Sequence, residues 1–143
     1  MLTQRSRYAL RAMLFLAEQP AAAPPMPRHR IAVAANVPRK FLELILADLR
    51  EAGFLHSTRG KAGGYHLARP AHRISLGEII RVIEGPLALV PCVSRTAYRP
   101  CGDCKDEATC AIRIAMARVR DETARILDGT NLGDAACIEL AAA

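Results

Sequence analysis

The chain contains no tryptophan, and only three phenylalanines and three tyrosines in 143 residues. A core that cannot rely on large rings must be filled by Ala, Leu, Ile and Val. With 51% of residues hydrophobic there is enough of them, and the strong helix propensity of Ala and Leu points to a mostly α-helical protein. The length suits one domain core with an appendage, not two independent domains. No apolar run approaches the ~20 residues that cross a bilayer. The stretch nearest to a secretory signal, Ala12 to Ala17 behind Arg5, Arg7 and Arg11, is stopped by Glu18, short of the about 7–15 apolar residues that an h-region needs. A cytoplasmic protein is therefore expected. Catalytic signatures are missing too: no phosphate-binding glycine loop opens a helix, no carboxylates pair as acid and base, and no His-x-Glu zinc motif occurs. The histidines (His29, His56, His66 and His72) are scattered over loop, hairpin and helix start. The chain reads as a protein that is not an enzyme.

Acidic residues are scarce in the first half. Through Arg73 there are twelve Lys and Arg against Glu18, Glu43, Asp48 and Glu51, a balance of +8, whereas the rest of the chain carries −2. Such asymmetry suggests a polyanion-binding module joined to something else.

Leu2 to Glu18 reads as a helix capped by Thr3 and apolar on two sides (Tyr8, Ala12, Phe15 and Leu16; Leu10, Leu14 and Ala17), as expected of a helix between two layers. Pro20, Pro24, Pro25 and Pro27 make a loop. A short helix from Arg28 to Ala35, a turn at Asn36-Val37-Pro38 and a helix from Arg39 to Ala52 ending at Gly53 follow. The second helix carries an apolar stripe of Phe41, Leu42, Ile45, Leu46 and Leu49, with Lys40, Glu43, Ala47 and Arg50 opposite. Two helices joined by a tight turn, the second starting with a polar face, form the helix-turn-helix pattern. Phe54 to Ser57 and Tyr65 to Leu67 flank a glycine-rich tip bearing Arg59 and Lys61, a β-hairpin wing suited to a DNA backbone or narrow minor groove. Arg28, Arg39, Lys40, Glu43, Arg50, Arg59 and Lys61 are the candidate DNA contacts. Glu43 is the candidate specificity residue, since a carboxylate accepts from cytosine N4 and is repelled by phosphate.

Ser75-Leu76-Gly77-Glu78 is a capping box opening another helix. A last helix, from about Asp106 to Asp128, has a stripe of Ala108, Ile112, Ala115, Val119 and Ile126 that no other expected element covers. Pairing with a second copy would cover it and supply the two-fold symmetry that helix-turn-helix proteins use on paired half-sites. The expected organisation is a winged helix-turn-helix over 1–73, a connecting helix and exit segment over 74–91, a cysteine-rich loop over 92–105, a dimerisation helix over 106–129 and an uninformative tail over 130–143. Five cysteines in a cytoplasmic chain argue for metal or redox chemistry over structural disulfides.

Arg7-Tyr8-Ala9-Leu10, the run from Phe41-Leu42 to Leu49 followed by Ala52-Gly53, and Arg59-Gly60-Lys61-Ala62-Gly63-Gly64-Tyr65 resemble the bacterial Rrf2 family of regulators, whose members include IscR, NsrR and RirA. The resemblance covers nearly the whole chain. It implies a winged-helix homodimer on palindromic double-stranded DNA, joined through the C-terminal helix, and in many members a cluster held by cysteines in the preceding loop. The pattern here is Cys92-x8-Cys101-x2-Cys104-x5-Cys110. Cys92, Cys104 and Cys110 resemble the family's three-cysteine set; Cys101 is an addition that leaves the middle ligand ambiguous. The acidic residue that some relatives place near the start of helix 1 is missing, since nothing acidic precedes Glu18. An all-cysteine set suits an iron–sulfur cluster. Structural zinc, a metal-free thiol–disulfide switch, and cysteines without a task remain as alternatives, as does a zinc-stabilised adaptor that binds protein in place of DNA. Cys137 lies outside the group.

Overall fold

The computed structural model describes residues 2–142. Six helices and one hairpin follow in the order α1 (Gln4–Ala17), α2 (Arg28–Ala34), α3 (Arg39–Glu51), β1 (Leu55–Thr58), β2 (Gly64–Leu67), α4 (Leu76–Glu84), α5 (Ala111–Gly129) and α6 (Leu132–Ala142). Single 3-10 turns lie at Ala71–Arg73 and Pro91–Val93.

Thr3 caps α1, its hydroxyl accepting from the Ser6 N–H at 3.3 Å. The two apolar sides of α1 have the consequence expected of them: α2, α3, α4 and α6 all pack on this helix. Ala9, Ala12, Met13 and Leu16 are buried, and Tyr8, Leu10, Leu14 and Phe15 are packed half-buried around them. The capping box at α4 forms in full, with the Ser75 hydroxyl accepting from the Glu78 N–H and the Glu78 carboxylate accepting from the Ser75 N–H at 2.9 Å. In the hairpin, Leu55 stands opposite Leu67, His56 opposite His66 and Ser57 opposite Tyr65. Met26 adds a one-residue third strand through two hydrogen bonds with Tyr65, at 2.8 and 2.9 Å.

Two boundaries differ from the sequence reading. The last long helix starts at Ala111, not near Asp106. The Asp106 carboxylate accepts from the Ala108 N–H at 3.0 Å and the Thr109 hydroxyl at 2.8 Å, and a side chain that satisfies the backbone in this way builds a turn in place of a helix. The segment expected to be an uninformative tail is α6, and it belongs to the core. The Leu76 N–H donates to the Thr130 carbonyl and the Leu132 N–H to the Ile74 carbonyl, both at 2.9 Å, and Leu132 and Ala136 are buried. The Leu-Gly-Asp-Ala-Ala-Cys-Ile-Glu-Leu-Ala-Ala sequence of α6 has too little polar contrast to show a helical period.

Buried Ser6 joins α1 to the end of α4. Its hydroxyl donates to Glu84 Oε1 at 2.6 Å, and the Thr3 N–H donates to the same oxygen at 2.7 Å. These bonds, that from Ser6 foremost, hold the Glu84 carboxyl below its ordinary value of 4.5. A lowered folded-state pKa contributes stability above the unfolded value, and that stability is lost as pH falls through the lowered one. Ser6→Ala is expected to cost about 0.5–1.5 kcal/mol at neutral pH. The cost should shrink in acid once Glu84 is protonated in both states, which urea unfolding at the two pH values measures.

Candidate DNA interface and cysteine loop

The turn between α2 and α3 uses Asn36 in the left-handed region (φ 51°), which Asn tolerates better than most residues. Buried Val37 follows, its N–H donating to the Ala32 carbonyl at 2.9 Å. Leu42, Ile45, Leu46 and Leu49 are fully buried and seat α3, leaving Arg39 and Lys40 exposed in its first turn. Phe41, expected within this stripe, is 55% exposed and tilts against Tyr8 with ring centroids 6.1 Å apart. At about 100° per residue it falls on the flank of the arc spanned by the other four.

Arg28, Arg39, Arg50 and Arg59 line one groove of about 410 Å³ between the start of α2, α3 and the wing. Arg50 reaches across it, Nη1 donating to Ser57 Oγ at 3.4 Å. Lys40 and Lys61 are exposed on α3 and the wing tip, outside the groove lining. Glu43 pairs with Arg28 at 3.1 Å. It does not use Lys40 or Arg50 from its own helix, so the pair fastens α3 to α2. His29 also lines the groove. The sequence reading left it out, although its place beside Arg28 at the head of α2 was the available signal. The wing depends on its glycines: Gly60 has φ +105°, and a Cβ on Gly64 would lie 2.4 Å from the Met26 carbonyl group.

The four loop cysteines fall between α4 and α5. Cys92 is buried in the turn Pro91–Val93, Cys101 is exposed, Cys104 is half-buried, and Cys110 is the N-cap of α5. The Tyr98 hydroxyl donates to Glu107 Oε1 at 2.6 Å, and Arg113 stands 3.5 Å from the same carboxylate. One acidic residue thus ties the Cys92 side of the loop to the side holding Cys104 and Cys110. The thiols influence one another along the loop, Cys101 with Cys92 and Cys104, and Cys104 with Cys110. A hydrogen bond with Cys92 pushes the Cys101 thiol up from its ordinary value, and desolvation followed by the neighbouring Cys110 pushes Cys104 up. Among the described residues no three His, Cys, Asp or Glu side chains form a group that could hold a metal ion. Four thiols with no imidazole among them are a donor set compatible with an iron–sulfur or all-thiolate zinc site.

The arrangement of helix-turn-helix, wing, cysteine loop and exposed helix α5 coincides with a match of residues 2–137 to the Rrf2 family model, described as an iron-dependent transcriptional regulator. The chain belongs to the Rrf2 family. An rrf2-like HTH-type transcriptional regulator of Rhodobacter capsulatus is 43% identical over 136 residues, covering 94% of this chain and 91% of the relative. The structure of CymR, the global cysteine regulator of B. subtilis, matches with a TM-score of 0.78 at 33% identity, covering 96% of this chain and 97% of that one. The T. potens IscR structure matches at 0.74 and 27%, covering 99% and 88%. As an Rrf2-family protein the chain is a winged-helix, DNA-binding transcriptional regulator and not an enzyme. None of its described helices is long and apolar enough to cross a membrane.

For this Rrf2-family head the Arg28–Glu43 pair sharpens one expectation. Glu43→Ala should relax sequence preference at one base pair by ~1–3 kcal/mol, with general affinity holding or rising. Selection of bound sequences from a random pool measures this, and an unchanged motif would assign Glu43 to the pairing with Arg28 alone. Arg59→Ala should weaken binding to all sequences and lower the salt slope by about one unit, read from affinity against salt concentration.

Proposed function

We propose that this Rrf2-family protein acts in the cytoplasm as a homodimer on a palindromic double-stranded operator, and that a cysteine-ligated iron–sulfur cluster controls its grip on DNA. The observation that carries this reading is the gathering of Cys92, Cys101, Cys104 and Cys110 between the helix that ends the DNA-binding head and the helix that begins the exposed apolar stripe. Such a cluster, when bound, supplies a redox-, nitric-oxide- or iron-sensitive tie that can be lost. Around it, this chain's own residues link the loop to α5, and α5 to α4. Arg95 pairs with Asp121 at 2.8 Å, and Arg120 donates to the Val93 carbonyl. Arg81 holds Asp128 through two hydrogen bonds, at 2.6 and 2.9 Å, so α4 and α5 move together. In the head, Arg28, Arg39, Arg50 and Arg59 face the phosphates from the shared groove, Lys40 and Lys61 add flanking charge, and Glu43 reads a base edge.

A second reading is favoured by the mutual influence of the loop thiols. Cys92 with Cys101, and Cys104 with Cys110, are the pairs this reading would join, each bond forming as two thiols give up two protons and two electrons to an oxidant. Zinc on the same four thiolates is the structural alternative. Anaerobic purification followed by a visible spectrum and iron, sulfide and zinc analysis separates the three. Iron with matching sulfide and a charge-transfer band supports the cluster. Zinc alone supports a structural site. Metal-free protein that forms the two predicted disulfides on oxidation supports the thiol switch.

A further inference from the structure

Outside the cysteine loop, the most specific grouping of metal-ligating side chains is on the wing. His56 and His66 are directly opposite each other in the β1–β2 register, both exposed, with ring centroids 5.5 Å apart and ring planes inclined at 53°. From this geometry we infer a divalent metal site on the wing, held by one nitrogen of each ring and suited to zinc.

The spacing is the first argument. A ring centroid lies about 1.2 Å behind its ligating nitrogen, and zinc binds such nitrogens at about 2.0–2.1 Å. With one nitrogen of each ring turned toward a shared ion, a tetrahedral angle would set the two centroids about 5.3 Å apart, a separation that the observed 5.5 Å allows. The strand pairing is the second. Opposite residues of an antiparallel pair project from the same face, so the two side chains start from neighbouring points and only their own rotations remain to be ordered. The surroundings are the third. Residues 54–69 contain no Asp or Glu, so no carboxylate of the hairpin completes the site or draws either ring away. Two coordination positions are left to water or another ligand. Arg59 and Lys61 at the tip of the same hairpin repel a cation, which sets the affinity well below that of a closed four-thiolate centre.

The site is independent of what the cysteine loop holds, and the test reads the two places separately. Zinc is titrated into the full chain as purified and followed by residue-resolved ¹H–¹⁵N NMR. The expected result is one saturable event, at about one equivalent beyond any uptake by the loop, that moves the amides of 55–58 and 64–67 and the ring nitrogens of His56 and His66. His56→Asn and His66→Asn should each weaken it about tenfold or more, because either change turns a chelate into a single ligand. Cys104→Ser should leave it unchanged. Both rings are exposed, so both variants should keep the native melting temperature, and that measurement guards against misfolding. Shifts confined to residues 92–110, or a single histidine variant that binds zinc as tightly as the native chain, would overturn the inference.

Discussion

Replacing Ile112 and Val119 by Glu is expected to convert the protein to monomers that hold DNA at least a hundredfold more weakly. Nothing along α5 is buried within the chain: Ile112 is 67% exposed, Val119 42% and Ile126 55%. These three stand seven residues apart, so on a helix drifting only ~20° per heptad they form one straight apolar line. Each isoleucine or valine buried against a second copy contributes about 1.5–3 kcal/mol, and a two-fold axis doubles the set. Two glutamates per subunit would remove that gain and place four carboxylates in the seam, each desolvated at a cost of several kcal/mol or left to hold the helices apart. The loss on DNA follows from valency. Two tethered heads bind half-sites with an effective concentration that a single head lacks, a factor of roughly 10²–10⁴. The core is spared because the line faces away from it, so far-ultraviolet circular dichroism should be retained. Sedimentation at micromolar concentration and operator titration read the two effects. A native chain that sediments as a monomer would remove the reading of α5 as the dimer helix.

What was legible in the sequence was whatever is decided within a few residues. Thr3 caps α1 and Ser75 with Glu78 closes the box at α4 because those bonds span three residues and depend on side-chain chemistry alone. Leu42, Ile45, Leu46 and Leu49 were found by their period, and the wing by glycines whose places admit no Cβ. The rest is decided by partners distant in the chain. Phe41 looked like a core residue until Tyr8 offered it a half-exposed seat. The tail looked empty because Leu132 and Ala136 acquire meaning only when α1 is laid against them. The site divides the same way. The arginines could be nominated one by one, but their convergence on a single groove, and the capture of Glu43 by Arg28, require α2, α3 and the wing to be in place.

If the loop holds the proposed cluster, its loss is expected to change operator affinity by 5–150-fold, the span of a coupling of ~1–3 kcal/mol. Cys92→Ala, Cys104→Ala and Cys110→Ala should each shift affinity in the same direction as chemical removal. The reasoning is geometric. Cys92 is buried in the turn that leaves α4, and Cys110 caps α5, so ligation at both ends fixes the path between the helix of the head and the helix of the dimer seam. Releasing those ends frees more than ten residues and withdraws the differential energy that favoured one spacing of the two heads. The expected route to the head is the Arg81–Asp128 pair, a bidentate contact between α4 and α5. Arg81→Ala should therefore leave cofactor uptake intact while drawing the ratio of holo to apo affinities toward one, a result that a merely structural loop would not produce. Cys101→Ala settles the ambiguity in the ligand set. If Cys101 is a ligand, its variant follows Cys104→Ala; if it is a bystander, holo binding is retained. All measurements use one operator at one salt concentration, since phosphate contacts make affinity steeply salt-dependent. Equal affinity of holo protein, apo protein and every cysteine variant would make the loop a structural brace and place the signal elsewhere in the molecule.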